Sequence, residues 1–216
     1  MVFKLLNISY KKDMKLFLKK IGRGIVKGAI YIYCKVVHRA EVIGKENIPK
    51  DEKFIFCGNH RNYLDPPLIV CTVGRHVRFM AKEDLRKNPF FAFLGVIFDG
   101  IYVKRDSKDV TALKTTLKAL KDGESIALFP EGTRNGLEKN EKVKDGAAFF
   151  ALRTGTRVIP IGISGGLKAF QKVRIVYGKP IDLSKYSEMY KNKETEKQAL
   201  EEASELIMNS IMELTK

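Results

Sequence analysis

Two periodicities divide the chain. Across residues 11–37, "KKDMKLFLKKIGRGIVKGAIYIYCKVV", Met14, Phe17, Leu18, Ile21 and Ile25 recur at steps of three and four, the spacing that gathers side chains on one face of an α-helix. Lys12, Lys15, Lys19, Arg23 and Lys27 recur in the same way on the opposite side. The pattern predicts a basic amphipathic helix that runs on into the nearly uncharged "GAIYIYCKVV". Beyond residue 40 the text changes to short apolar runs. "FIFCG" (54–58), "VRFMAK" (77–82), "GIYVKR" (100–105), "SIALFP" (125–130), "RVIPIGISG" (157–165) and "VRIVYG" (173–178) read as strands. Helical patterns fall between and after them, at about 67–74, 83–97, 107–121, 143–154 and 193–215. In the last, Leu200, Ala203, Leu206, Ile207, Ile211 and Leu214 share a face. Strands alternating with helices predict an α/β fold, a mixed, mainly parallel sheet flanked by helices. No repeat and no break in composition follows residue 40. The expected division is therefore an N-terminal helical segment, 1–40, attached to one α/β domain, 41–216.

Charge sharpens the first of these regions. The chain of 216 residues carries a formal net charge of +15. Residues 1–40 hold ten Lys/Arg against the single acid Asp13, so most of that excess sits at the N-terminus, and its partner belongs there. A surface helix docked on the domain is one reading. Soluble helices usually mix signs on the polar face, however, and this one is almost purely cationic. A helix lying in the interface of an anionic membrane accounts for both faces, each cation adding roughly 1 kcal/mol before screening. No uninterrupted run of about 18 apolar residues offers a span, and no signal peptide is evident. The expectation is a peripheral or monotopic protein on the cytoplasmic face of the cell membrane. Nucleic acid is not an expected partner, because the cations oppose an apolar stripe instead of interleaving with stacking aromatics. Cys34, Cys57 and Cys71 fit neither a metal spacing nor a disulfide framework and read as reduced thiols. His38 and His76 have no paired spacing with His60, so no metal site is expected.

The candidate chemistry collects where strands end, the usual place for it in open α/β sheets. Strand 54–58 runs into "NHRNYLD", which sets His60 and Asp65 five positions apart. On a helix or a strand that spacing points the two side chains apart, so they meet only across a bent loop. A carboxylate beside an imidazole fixes its tautomer and frees the other nitrogen to take a proton. Two bland roles stand beside this one: Asp65 as the N-cap of the helix that Pro66 opens, compatible with orienting the imidazole, and His60 as a loop histidine bonded to backbone. Cys57 near His60 reads as a nucleophile or, more simply, as a small buried hydrophobe. Strand 125–130 delivers "FPEGTRNG", where a glycine turn and Arg134 suit a phosphate, although Glu131 and Arg134 pinning the loop is equally in keeping with the residues. No G-x-S-x-G, Walker A or G-x-G-x-x-G sequence is present.

Together these blocks resemble the glycerolipid acyltransferases of the 1-acylglycerol-3-phosphate acyltransferase family. "NHRNYLD" is similar to that family's N-H-x4-D motif, "GIYVKRD" to its second block, "FPEGTRN" to its E-G-T-R block and "VIPIGI", with Pro160, to its fourth. They fall in family order over about residues 54–165. The resemblance implies His60 as general base on the free hydroxyl of a lysophospholipid, oriented by Asp65. It implies Arg105, Glu131, Gly132, Thr133 and Arg134 at the glycerol-phosphate site, with Lys104 beside them. The hydroxyl would attack the thioester of acyl-CoA or acyl carrier protein directly, with no cofactor beyond that co-substrate. The product would be phosphatidic acid, and "PFFAFLGVIF" (89–98) would offer a place for the acyl chain, although residue by residue it reads first as a core helix. Asn62 and Asn135 depart from the serines frequent in the family at those positions. Two alternatives stand beside this expectation. One is an acyltransferase for glycerol-3-phosphate or a lyso-ornithine lipid; the other is a basic membrane- or nucleic-acid-binding module without catalysis.

Overall fold

The apolar runs form one sheet in which the central strands bury both of their faces. In the computed structural model, which describes residues 2–104, 109–134, 144–166 and 168–216 (the first eleven of these, 2–12, as backbone only), seven strands are ordered β1-β7-β6-β2-β5-β3-β4. These are β1 (Glu41–Ile43), β2 (Ile55–Gly58), β3 (Val77–Lys82), β4 (Ile101–Val103), β5 (Ser125–Leu128), β6 (Val158–Gly165) and β7 (Val173–Tyr177). Every neighbouring pair is parallel except β6 and β7, whose Ile161–Gly165 and Val173–Tyr177 run antiparallel. The expected mixed, mainly parallel sheet flanked by helices is what the chain forms.

Alternation along each strand divides the interior into two cores. Ile55 and Cys57 of β2 join Ile126, Leu128 and Val158 beneath α4 (Val110–Lys121), α5 (Gly146–Thr154) and α7 (Glu196–Glu213). Phe54 and Phe56 point the other way and join Ala127, Ile159, Ile161 and Ile163. That second core is closed by α1 (Val2–Val37), α2 (Asp65–Thr72) and α3 (Pro89–Ile97). A short α6 (Ser187–Lys191) leads into α7. The strand β1 and the helix α6 are absent from the sequence expectation. Three half-buried residues of β1 and five of α6 are too few to establish a period.

The long first helix turns its charges inward. Arg23 Nη2 donates to Asp99 Oδ2 (2.6 Å) and its Nε to the Ile97 carbonyl (2.9 Å); Lys19 pairs with the same carboxylate. Lys27 Nζ donates to the Arg75 carbonyl (2.6 Å). Farther along the same face, Val26, Ile30 and Cys34 pack on the core. The opposite stripe is left bare: Phe17, Leu18, Ile21, Ile25, Ile32 and Val36 are all exposed, Ile25 to 67%. The expected division of labour on this helix, cations outward to lipid headgroups, is thus corrected for Lys19, Arg23 and Lys27. The Asp99 carboxylate, the Ile97 carbonyl at the end of α3 and the Arg75 carbonyl between α2 and β3 supply the acceptors.

Candidate active site

Gly58 ends β2, and the next residue fixes how the chain leaves the sheet. The buried Asn59 side chain donates through Nδ2 to the Ile163 carbonyl (2.9 Å) and accepts the Ile163 N–H at Oδ1 (2.7 Å). This two-way clamp on the neighbouring strand aims the following turn. His60 is then held from three directions. Its backbone N–H donates to Glu131 Oε1 (2.9 Å), its ring stacks on Phe129 at 4.2 Å, and its Nδ1 lies 3.0 Å from Asp65 Oδ2.

Asp65 does more than touch the imidazole. The same Oδ2 accepts the backbone N–H groups of Arg61 and Asn62, each at 2.6 Å. One carboxylate therefore ties the whole bent loop that the five-residue spacing demands. The expected N-cap is not formed. Asp65 is the first residue of α2, Leu64 precedes it, and no side chain caps the helix. The reason lies in the next two residues: Pro66 and Pro67 have no N–H to offer, and the N–H of Leu68 is taken by the Leu64 carbonyl (2.9 Å). The carboxylate turns back to the loop, where donors are available. With two backbone N–H groups already donating to it, the oxygen is an acceptor, so in the neutral imidazole Nδ1 carries the proton and Nε2 the lone pair.

The turn after β5 completes the wall opposite. Glu131 is buried, 3% exposed, with His60 on its carboxylate. Gly132 has φ +66°, a left-handed conformation that favours glycine. Thr133 follows, and Arg134 places its guanidinium over the ring of Tyr63, Cζ 3.8 Å from the centroid. His60, Asp65 and Glu131 are thus joined by hydrogen bonds, and the turn carrying Gly132, Thr133 and Arg134 reaches the His60–Asp65 loop through Tyr63. Lys104 is tied differently, its ammonium 3.8 Å from Glu83 on the exposed rim beyond β4. Arg105, Asn135 and Gly136 lie outside the described residues.

The family model described as acyltransferase matches residues 39–164, more than half of the chain and the whole span of these turns. The chain belongs to the acyltransferase family. Among relatives of this chain, the 1-acyl-sn-glycerol-3-phosphate acyltransferase of Borreliella burgdorferi is 35% identical over 122 residues, covering 56% of this chain and 49% of the relative. The chloroplastic 1-acyl-sn-glycerol-3-phosphate acyltransferase LPAT1 of Arabidopsis thaliana is 29% identical, covering 85% of this chain and 53% of the relative. The chain spans about half the length of these curated relatives. The crystal structure of the 1-acyl-sn-glycerophosphate (LPA) acyltransferase PlsC from Thermotoga maritima matches with a TM-score of 0.58 and 25% identity, covering 91% of this chain and 97% of that one.

Three residues that hold this site escape a reading by motif. Asn59 sets the turn, Phe129 supports the imidazole and Tyr63 carries Arg134. All three stand inside the quoted blocks, yet nothing in their identity alone announces a bond to β6, a stacked imidazole or a guanidinium overhead. Cys57 is settled as a core residue: it is fully buried, and burial pushes its thiol far up, away from the thiolate a nucleophile needs. In α3 the residues suspected of lining an acyl groove divide between Leu94 and Ile97, packed on the core, and Phe90, Phe93 and Val96, exposed.

Proposed function

We propose that this acyltransferase moves an acyl chain from acyl-CoA or acyl carrier protein to the sn-2 hydroxyl of 1-acylglycerol-3-phosphate, giving phosphatidic acid. The observation that carries the reading is the His60–Asp65 pair, 3.0 Å apart and set at the carboxyl end of the central strand β2, with Arg134 across the turn. The printed names of the relatives above support the choice of acceptor.

In this scheme Nε2 of His60 takes the proton of the acceptor hydroxyl as its oxygen attacks the thioester carbonyl. Asp65 stabilises the imidazolium that forms, through the bond to Nδ1. The tetrahedral intermediate collapses by breaking the C–S bond. The imidazolium returns its proton to the departing sulfur, so a new ester and a free thiol leave together. No acyl-enzyme is required, in keeping with the inert Cys57. The Asp65 tie on two backbone N–H groups holds the imidazole in place, which is where such a general base gains its roughly 10²–10⁴-fold effect. Arg134, whose in-plane N–H donors suit a phosphate, and the glycine turn at Gly132 would receive the acceptor's phosphate, with Thr133, Lys104 and Arg105 as further candidates.

The acceptor and product are lipids, and the bare stripe of α1 suits the same surface. Among the described residues no helix is long and apolar enough to cross a membrane. The helix would lie in the interface with Phe17, Leu18, Ile21, Ile25, Ile32 and Val36 toward the acyl chains, on the cytoplasmic leaflet where acyl donors are available. Exposed Lys15 and Lys20 would meet anionic headgroups.

The test is thiol release from acyl-CoA and from acyl carrier protein in parallel, with anionic liposomes carrying lysophosphatidic acid, glycerol-3-phosphate or a lyso-ornithine lipid. Release that requires lysophosphatidic acid is expected. Release with another acceptor alone would move the assignment to that acceptor, and release without any acceptor would make the protein a thioesterase.

A further inference from the structure

The ring at the tip of the catalytic turn has no part in the scheme above. Tyr63 sits between residues whose backbone is tightly held. Asn62 donates its N–H to Asp65 Oδ2 (2.6 Å), and the Asp65 N–H donates to the Asn62 carbonyl (3.2 Å). With the chain pinned on both sides, the Tyr63 side chain is thrown outward and is 51% exposed. It is nevertheless engaged. Arg134 Cζ lies 3.8 Å from its centroid, and Phe91 of α3 stacks on it at 6.0 Å with 29° between the ring planes.

The electrostatics of this contact are specific. A guanidinium over an aromatic face is attracted by the ring quadrupole, and its five N–H donors lie in its own plane, free for a ligand. Among the described residues the face of Tyr63 supports the Arg134 guanidinium. A long arginine side chain without such a platform loses rotamer freedom when it grips a phosphate, and that loss weakens binding.

We infer that Tyr63 is the platform that presets Arg134, so that the guanidinium edge is presented to the phosphate of the acceptor. Tyr63 is a positioning residue for acceptor affinity, and Phe91 ties it to α3. This rests on the reading of Arg134 as a phosphate ligand given above. The π face, not the hydroxyl, does the work. Tyr63→Phe therefore keeps the function and Tyr63→Leu removes it.

The experiment is a kinetic comparison of Tyr63→Leu and Tyr63→Phe with lysophosphatidic acid as the varied acceptor, repeated in an Arg134→Ala background. Tyr63→Leu is expected to raise the acceptor KM by about 3- to 30-fold, the range that a cation–π contact of ordinary strength provides, with kcat changed less than about twofold. Tyr63→Phe should restore the KM to within about twofold of the parent. In the Arg134→Ala background Tyr63→Leu should have no further effect. An unchanged KM in Tyr63→Leu, equal impairment in Tyr63→Phe, or an additive effect without Arg134 would each overturn the inference. Direct binding of lysophosphatidate to the His60→Ala protein, with and without Tyr63→Leu, reads the same grip without turnover. Should the parent protein fail to transfer acyl groups to this lipid, the functional reading fails, while a Tyr63-dependent loss of lysophosphatidate binding would still uphold the platform. Equal binding by both proteins would reject it.

Discussion

The two faces of the sheet have the same kind of core and opposite kinds of exterior. On one side α4, α5 and α7 bury Ala119, Leu120, Ala148, Ala203 and Ile207, and they turn Lys114, Lys118, Lys197 and Glu201 outward. On the other, α1 and α3 cover the core with Val26, Ile30, Leu94 and Ile97, and turn Phe17, Ile25, Ile32, Phe90, Phe93 and Val96 outward. Amphipathicity normally points one way, apolar in and polar out. The α7 side obeys it. The α1 helix is polar toward the protein along Lys19, Arg23 and Lys27 and apolar toward the outside, which water alone would not select. The difference is the strongest physical reason for placing a lipid surface on the α1–α3 side.

The largest expected effect attacks that surface. Changing Ile21, Ile25 and Ile32 together to Glu should lower partition onto anionic liposomes at least ~100-fold, since each apolar side chain moved out of water contributes about 1.5–3 kcal/mol. Charge removal on α7, by Lys197→Ala, should leave partition unchanged in the same sedimentation assay. Unaltered binding in the triple variant would dissolve the contrast between the two faces.

Thermodynamic stability should separate the buried from the bare positions next. Leu120 is fully buried, and Leu120→Ala should cost about 2–5 kcal/mol in denaturant unfolding. Ile25→Ala, at a position 67% exposed, should fall within about 0.5 kcal/mol of the parent. A large loss at Ile25 in the absence of lipid would mean that protein, not membrane, covers the stripe.

The joint between α1 and the domain gives a smaller effect. Burial raises the Asp99 carboxyl, but Lys19, Arg23 and His76 outweigh it and hold it below its ordinary value. Asp99→Asn should therefore destabilise the α1 contact by about 1–2 kcal/mol after allowance for partial exposure, seen as earlier amide exchange in α1 with α7 unchanged. Equal exchange in parent and variant would show that apolar packing alone docks the helix.

The same joint also sets a pH dependence. Burial first, then the Arg23 and Lys27 charges, lower His76 from 6.5 to about 4, against the pull of Asp99 and Glu124. The folded protein keeps this imidazole neutral while the unfolded chain protonates it, so stability should fall as pH drops from about 6.5 through about 4. His76→Gln should flatten the slope in that window, measured by thermal melts. A variant with the parent's slope would place the titration elsewhere.

How far these features are legible in the sequence depends on the distance over which they are decided. The apolar runs of β2 to β7 and the apolar stripe of α1 lie in the local sequence and can be read there directly. Which way the stripe faces is decided 48 to 80 residues away, by Asp99 and the carbonyls of Arg75 and Ile97, and no local pattern carries it. The same holds at the site. The bend between His60 and Asp65 follows from their spacing, and Glu131 and Arg134 are named by their motif. That Asp65 serves the loop instead of capping α2 follows from Pro66 and Pro67, once the donors are counted residue by residue. The clamp of Asn59 on Ile163 and the stacking of Phe129 and Tyr63 depend on which strands become neighbours, so only the folded sheet reveals them.

The central claim is that His60, held by Asp65, takes the proton of the acceptor hydroxyl. The most direct measurement is lysophosphatidic acid-dependent thiol release by the parent and by His60→Ala, at equal amounts of liposome-bound protein. A fall of about 10²–10⁴ in kcat with membrane binding retained is the predicted result. Release by His60→Ala at the parent's rate would contradict it.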